Sequence, residues 1–208
     1  EGKVPSGLSG SLYRIGPNPK FVEGTYHWFF GTGMVHAFHI DNGRVDYLNR
    51  WVRTPKFEKE MTLGHGLGLD LSINETTGQI ESNRRNGLAN THIMAHGDHL
   101  VALEEGSHPF SLDPTSLASG GYGHYGDGIK GAMTAHPKID PLTGELHGFG
   151  YMTEHFASNT MTYHVIDANG RTLRSDVFEA PYAAMVHDFM ITRDYVLFPI
   201  FPLTCDLA

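Results

Sequence analysis

Fourteen histidines against a single cysteine is the feature of this sequence that bears most directly on chemistry. Neutral imidazole is the commonest side-chain metal ligand, and near neutral pH it also carries protons. Nucleophilic catalysis is poorly provided for. There is no G-x-S-x-G elbow, no P-loop and no Rossmann glycine fingerprint, and Cys205 sits in no nucleophile motif. A metal reading has to be argued histidine by histidine.

His92, His96 and His99 fall at i, i+4 and i+7, which on a helix would align three rings. Gly97-Asp98 lies among them and predicts a hairpin turn that scatters the rings, so turn and surface roles are expected. His36 and His39 are three apart in one predicted strand and point to opposite faces, leaving at most one for any site. His136 precedes Pro137, which biases it to extended backbone at a strand or strand edge. His187 lies among apolar neighbours in Ala184-Met185-Val186-His187-Asp188-Phe189. Taken alone, His136 and His187 each read more readily as hydrogen-bonded structural residues than as ligands. Glu104 and Glu105 close the run Leu100-Val101-Ala102-Leu103, and in extended chain they face opposite sides. They are no acid/base pair. Whichever turns inward needs a donor, and the second N–H of a metal-bound imidazole is one candidate.

The elements that must position these groups are hairpins. Val35–Asp41 and Arg44–Val52 flank Asn42-Gly43, a strong type I′ turn signal. Similar pairs flank Gly97-Asp98, Pro141–Gly144, Ala168-Asn169-Gly170 and Arg193-Asp194. No helix is expected, and Leu63–Asn90 reads as a long loop with at most one short strand. With 25 glycines and 11 prolines spread along 208 residues, the punctuation suits short strands and turns, and the class is all-β, a propeller or a sandwich. Forty per cent hydrophobic residues exclude wholesale disorder. A net charge of −8 with no basic run argues against a nucleic-acid partner. The apolar run Val196–Leu203 is too short and proline-broken to be a transmembrane segment. One cysteine fits a reducing, cytoplasmic compartment.

Six blocks, in order, then carry a resemblance. Gly10-Ser11-Leu12-Tyr13-Arg14-Ile15-Gly16-Pro17-Asn18-Pro19 is similar to the opening of the carotenoid cleavage oxygenase family, which includes retinal-pigment-epithelium isomerases and lignostilbene dioxygenases. His27–His36, Ala89-Asn90-Thr91, Ala102–Gly106, Thr134-Ala135-His136-Pro137 and His187-Asp188-Phe189 resemble the blocks that follow. The resemblance implies a seven-bladed β-propeller, of which residues 1–208 form the N-terminal part, about three blades, with the chain apparently truncated at its C-terminus. It implies a non-haem Fe(II) held by four histidines, of which His136 and His187 are the first two. Glu105 is implied as a carboxylate behind a ligand imidazole. The implied reaction joins O2 to an apolar or aromatic alkene, a stilbenoid or a carotenoid, and splits its C=C bond into two carbonyls. Lignostilbene enzymes typically carry a lysine directly before that glutamate and carotenoid enzymes an apolar or aromatic residue; Glu104 departs from both. The segments Ala180–Met185 and Phe198–Leu203 look nearer the stilbenoid branch. Peripheral membrane contact is compatible with lipid-soluble substrates. The alternative is a truncated, non-catalytic propeller segment that binds apolar ligands or partner chains.

Overall fold

A computed structural model describes residues 2–22, 27–67, 71–73, 76, 80–82 and 85–204. Strands β1 (Gly10–Pro17), β2 (Gly33–Asp41) and β3 (Arg44–Trp51) form one antiparallel sheet. Asn42 and Gly43 take φ of 47° and 76° between β2 and β3, the two positive values that a type I′ turn requires.

A helix follows, against expectation. Helix α1 (Pro55–Leu63) begins at Thr54, whose hydroxyl accepts from the Phe57 N–H, with Pro55 in the first turn. It ends at Gly64, which adopts a left-handed φ of 77° and donates its N–H to the Glu60 carbonyl. These caps were present in the sequence. The apolar periodicity was not, because α1 buries Lys56 and Glu60 together with Phe57. Lys56 and Glu60 pair with each other, and the Glu60 carboxylate also accepts from the Leu67 N–H at 2.8 Å.

The stretch Leu63–Asn90, expected as a loop with at most one short strand, instead contains two paired strands, the short hairpin β4 (Leu71–Ile73) and β5 (Ile80–Ser82), because each needs the other to satisfy its backbone hydrogen bonds. Two four-stranded meanders come next. The first is β6 (His92–His96), β7 (His99–Leu103), β8 (Phe110–Leu112) and β9 (Ser119–Tyr122). The second is β10 (Lys138–Ile139), β11 (Leu146–Tyr151), β12 (Thr160–Ile166) and β13 (Thr172–Glu179). The hairpin β14 (Met190–Ile191) and β15 (Val196–Leu197) closes the described chain. Every paired strand is antiparallel to its neighbour in sequence. These sheets are propeller blades, about three in all, and the all-β expectation holds.

Strand β7 shows how the blades stack. Leu100, Val101, Ala102 and Leu103 are all at most 1% exposed. Leu100 and Ala102 join the core with Val35, Ala37, Phe110 and Leu112, toward the first sheet. Val101 and Leu103 join Met133, Leu146 and Ile166, toward the next meander. A continuous apolar run is what a strand covered on both faces needs. A third cluster, Phe149, Met161, Val186 and Phe189, ties β11 and β12 to the chain ahead of β14.

Candidate metal centre

The alternation of β7 runs on into the two glutamates and separates them. Glu104 follows Leu100 and Ala102, and its carboxylate accepts from the Leu88 and Ala89 N–H groups at 2.7 and 3.1 Å. Desolvation raises its pKa, opposed by hydrogen bonds from Ser107, Leu88 and Ala89 and by the Lys56 charge. Glu105 follows Val101 and Leu103 and reaches the other seam. There one carboxylate oxygen meets His187 Nδ1, and the other accepts from the Tyr151 hydroxyl at 2.7 Å.

His136 arrives from a different direction, two residues before β10, with its backbone N–H on the Thr134 hydroxyl at 3.0 Å. The extended strand position expected before Pro137 is not taken: His136 stands in a bend, and the strand begins only at Lys138. His187 lies on irregular chain ahead of β14, and its side chain is 61% exposed. His136 Nε2 and His187 Nε2 are 3.2 Å apart, with ring centroids separated by 4.7 Å. Glu105, His136 and His187 each offer a ligand atom within 4.8 Å of the others, and among the described residues they form the one such group of three.

The chemistry of this set can be tested against a cation. An ionised carboxylate only accepts, so the neutral His187 ring carries its proton on Nδ1, toward Glu105, and leaves a lone pair on Nε2. That lone pair faces His136 Nε2. Two imidazole nitrogens 3.2 Å apart suit one shared ion at about 2.1 Å from each. The donor set is nitrogen-rich, with a carboxylate behind it rather than on it, which suits a first-row divalent metal.

The surroundings add charge that the sequence did not advertise. Lys138 Nζ donates to Asp188 Oδ1 at 2.7 Å, beside the two histidines. Burial works to raise the Asp188 pKa, but the Lys138 and Phe189 hydrogen bonds together hold it below the ordinary value. The His92 ring lies 6.2 Å from that of His136. Desolvation lowers the His92 pKa, reinforced by His136 and Lys138. Tyr151, Lys138 and Asp188 were not anticipated as parts of the site. Their only sequence signal is that Asp188 adjoins His187 and that Lys138 follows His136-Pro137.

The hairpin expected at Gly97-Asp98 forms, but it does not scatter the rings: His96 is buried rather than at the surface and stands directly opposite His99. His92 and His96 sit on β6 and His99 on β7, with Gly97 at φ 59° in the turn between them. His96 packs against Tyr125 and His99 against His124. His36 Nδ1 bonds the Tyr47 hydroxyl at 2.6 Å and His39 Nδ1 the Ser11 hydroxyl at 2.8 Å. Cys205 lies outside the described residues. No helix among the described residues is long and apolar enough to cross a membrane.

Comparison with known proteins agrees with the motifs. A family model described as retinal pigment epithelial membrane protein matches residues 1–208. Isoeugenol monooxygenase of Pseudomonas putida is 36% identical over 210 residues, covering all of this chain and 44% of that protein. Resveratrol cleavage oxygenase 1 of Aspergillus fumigatus is 37% identical over 210 residues, covering 99% of this chain and 42% of that protein. The crystal structure of a lignostilbene dioxygenase from Pseudomonas brassicacearum superposes with a TM-score of 0.86 at 36% identity, over the whole of this chain and 44% of that one. The chain thus spans less than half the length of these relatives. With a family match over its full length, the chain belongs to the retinal pigment epithelial membrane protein family, that of the carotenoid cleavage oxygenases.

Proposed function

We propose that this chain carries part of the active centre of an iron(II)-dependent dioxygenase that cleaves the C=C bond of an aromatic alkene of the stilbenoid or phenylpropenoid class, with carotenoids as the second substrate class. The observation that carries this reading is the meeting of His136 Nε2 and His187 Nε2 at 3.2 Å, with Glu105 behind His187. The names of the relatives support the substrate class: isoeugenol, resveratrol and lignostilbene are all aromatic alkenes.

His136 and His187 would hold the metal through Nε2. When bound, iron(II) supplies the redox chemistry by which O2 and the alkene give two carbonyl fragments, one oxygen atom entering each. The protein's part is positional. Glu105 takes the His187 Nδ1 proton as a hydrogen bond, fixing the tautomer that turns Nε2 toward the site. Its negative charge partly offsets a divalent ion whose direct ligands here are neutral. Tyr151 occupies the second oxygen of Glu105 and limits its rotation. No side chain has to act as nucleophile, consistent with the missing nucleophile motifs. On this reading residues 1–208 are the N-terminal part of a longer propeller, and the other metal ligands come from chain outside them.

The test is iron content after anaerobic Fe(II) reconstitution of the protein that carries this chain, with isoeugenol and resveratrol as substrates under labelled O2. The His136→Ala and His187→Ala variants should lose both iron and cleavage. A variant that keeps stoichiometric iron and full cleavage would overturn the assignment.

A further inference from the structure

The two histidines of the cluster come from segments that no strand ladder joins. His136 precedes β10 and His187 lies on irregular chain 51 residues later. Beside the approach of the two rings themselves, an ion pair joins them. Lys138, two residues beyond His136, donates to the carboxylate of Asp188, the residue after His187, at 2.7 Å. The same Asp188 oxygen accepts from the Phe189 N–H at 2.8 Å, so the carboxylate is fixed against its own backbone. Phe189 is 2% exposed and stacks within the cluster that holds Phe149 and Phe198. The Lys138 ammonium also lies 5.6 Å from the centroid of the Phe189 ring. Lys138 thus grips the His187 segment twice, once through charge and once through a cation–π contact.

We propose that Lys138 and Asp188 are positioning residues, which set the separation of the His136 and His187 rings and thereby the metal affinity of the site. The proposal rests on the metal reading above. Its physical basis is a difference in tolerance. A single ion pair contributes little to global stability. A metal site, in contrast, needs its donors held to within about 0.5 Å. A local tether that is weak for the fold is strong for the site.

The experiment is anaerobic Fe(II) titration of the protein that carries this chain, with the thermal midpoint measured on each sample. The variants are Lys138→Met, Lys138→Arg, Asp188→Asn and His187→Ala. Lys138→Met keeps an unbranched side chain and removes the ammonium, and with it both the ion pair and the cation–π contact. Lys138→Met and Asp188→Asn should each weaken Fe(II) binding by about tenfold, within the range for residues that orient ligands. Lys138→Arg should restore most of the affinity, and the thermal midpoints should stay within a few degrees of the parent. Affinities within twofold of the parent in both charge-deleting variants would refute the positioning role. Equal losses in Lys138→Met and Lys138→Arg would refute it too, since charge pairing would then not be the cause. Should Lys138→Met fail to fold, Asp188→Asn decides. Iron retained by His187→Ala would instead overturn the metal reading itself, whatever the lysine variants do.

Discussion

Acidification should destabilise this protein through His164, independently of any metal. His164 on β12 is fully buried. Its Nε2 lies 3.2 Å from the Ala132 carbonyl, which can only accept, so Nε2 carries the proton of the neutral ring. Its Nδ1 takes the hydrogen of the Ser175 hydroxyl at 2.9 Å, while that oxygen accepts from the Lys130 N–H at 3.1 Å. The neutral ring is therefore satisfied where it stands. Charging it costs desolvation with no carboxylate at hand to offset it, and its pKa is pushed down from 6.5 to about 4, with desolvation the largest cause. Between those two values the unfolded chain binds more protons than the folded one, so stability falls as pH falls through this window. A shift from 6.5 to about 4 amounts to about 3 kcal/mol once fully expressed, and about 2 kcal/mol by pH 5. Burial lowers the pKa of His92, His96 and His124 in the same direction, and that of Glu104 is raised, which acts oppositely. The contribution of one residue must therefore be taken by difference. Urea melts at pH 7.5, 6.5, 5.5 and 5.0 on the parent and on His164→Gln supply it. The variant starts less stable, but between pH 7.5 and 5 it should lose about 2 kcal/mol less than the parent. Parallel pH profiles for the two proteins would refute the argument.

Three further outcomes follow from single contacts. Glu105→Gln should leave the fold intact while weakening Fe(II) binding about 10- to 100-fold, measured by anaerobic titration, because the amide holds the His187 tautomer less firmly. Gly33→Ala should be costly, because an added Cβ would lie 1.9 Å from the Ala89 carbonyl oxygen, where Gly33 N–H bonds the Leu88 carbonyl at 2.9 Å. We expect a loss at or above the upper end of the usual overpacking range of about 1–3 kcal/mol, and an unchanged thermal midpoint would show that the segment around Ala89 yields. Thr54→Ala should cost about 1 kcal/mol by removing the cap on the Phe57 N–H, read from the same melts.

The local geometry was legible where a short-range rule fixes it. Asn42-Gly43 set a type I′ hairpin and with it the register of β2 on β3. The run Leu100–Leu103 was legible as a strand, and strand alternation alone separated Glu104 from Glu105. Ordered motifs pointed to His136, His187 and Glu105 before any coordinates. Helix α1 was missed because its buried face carries Lys56 and Glu60, so the pattern that marks a helix was absent although both caps were present.

The sequence by itself determined the main hairpins, their turns and the residue types available for a metal. Only the tertiary structure decided that Tyr151 holds Glu105 against His187, and that Lys138 and Asp188 join two segments some fifty residues apart. The reason is the range of the interactions. A turn or a cap is written within four residues, whereas the closing of His136 onto His187 depends on how whole blades stack, and no local spacing encodes that.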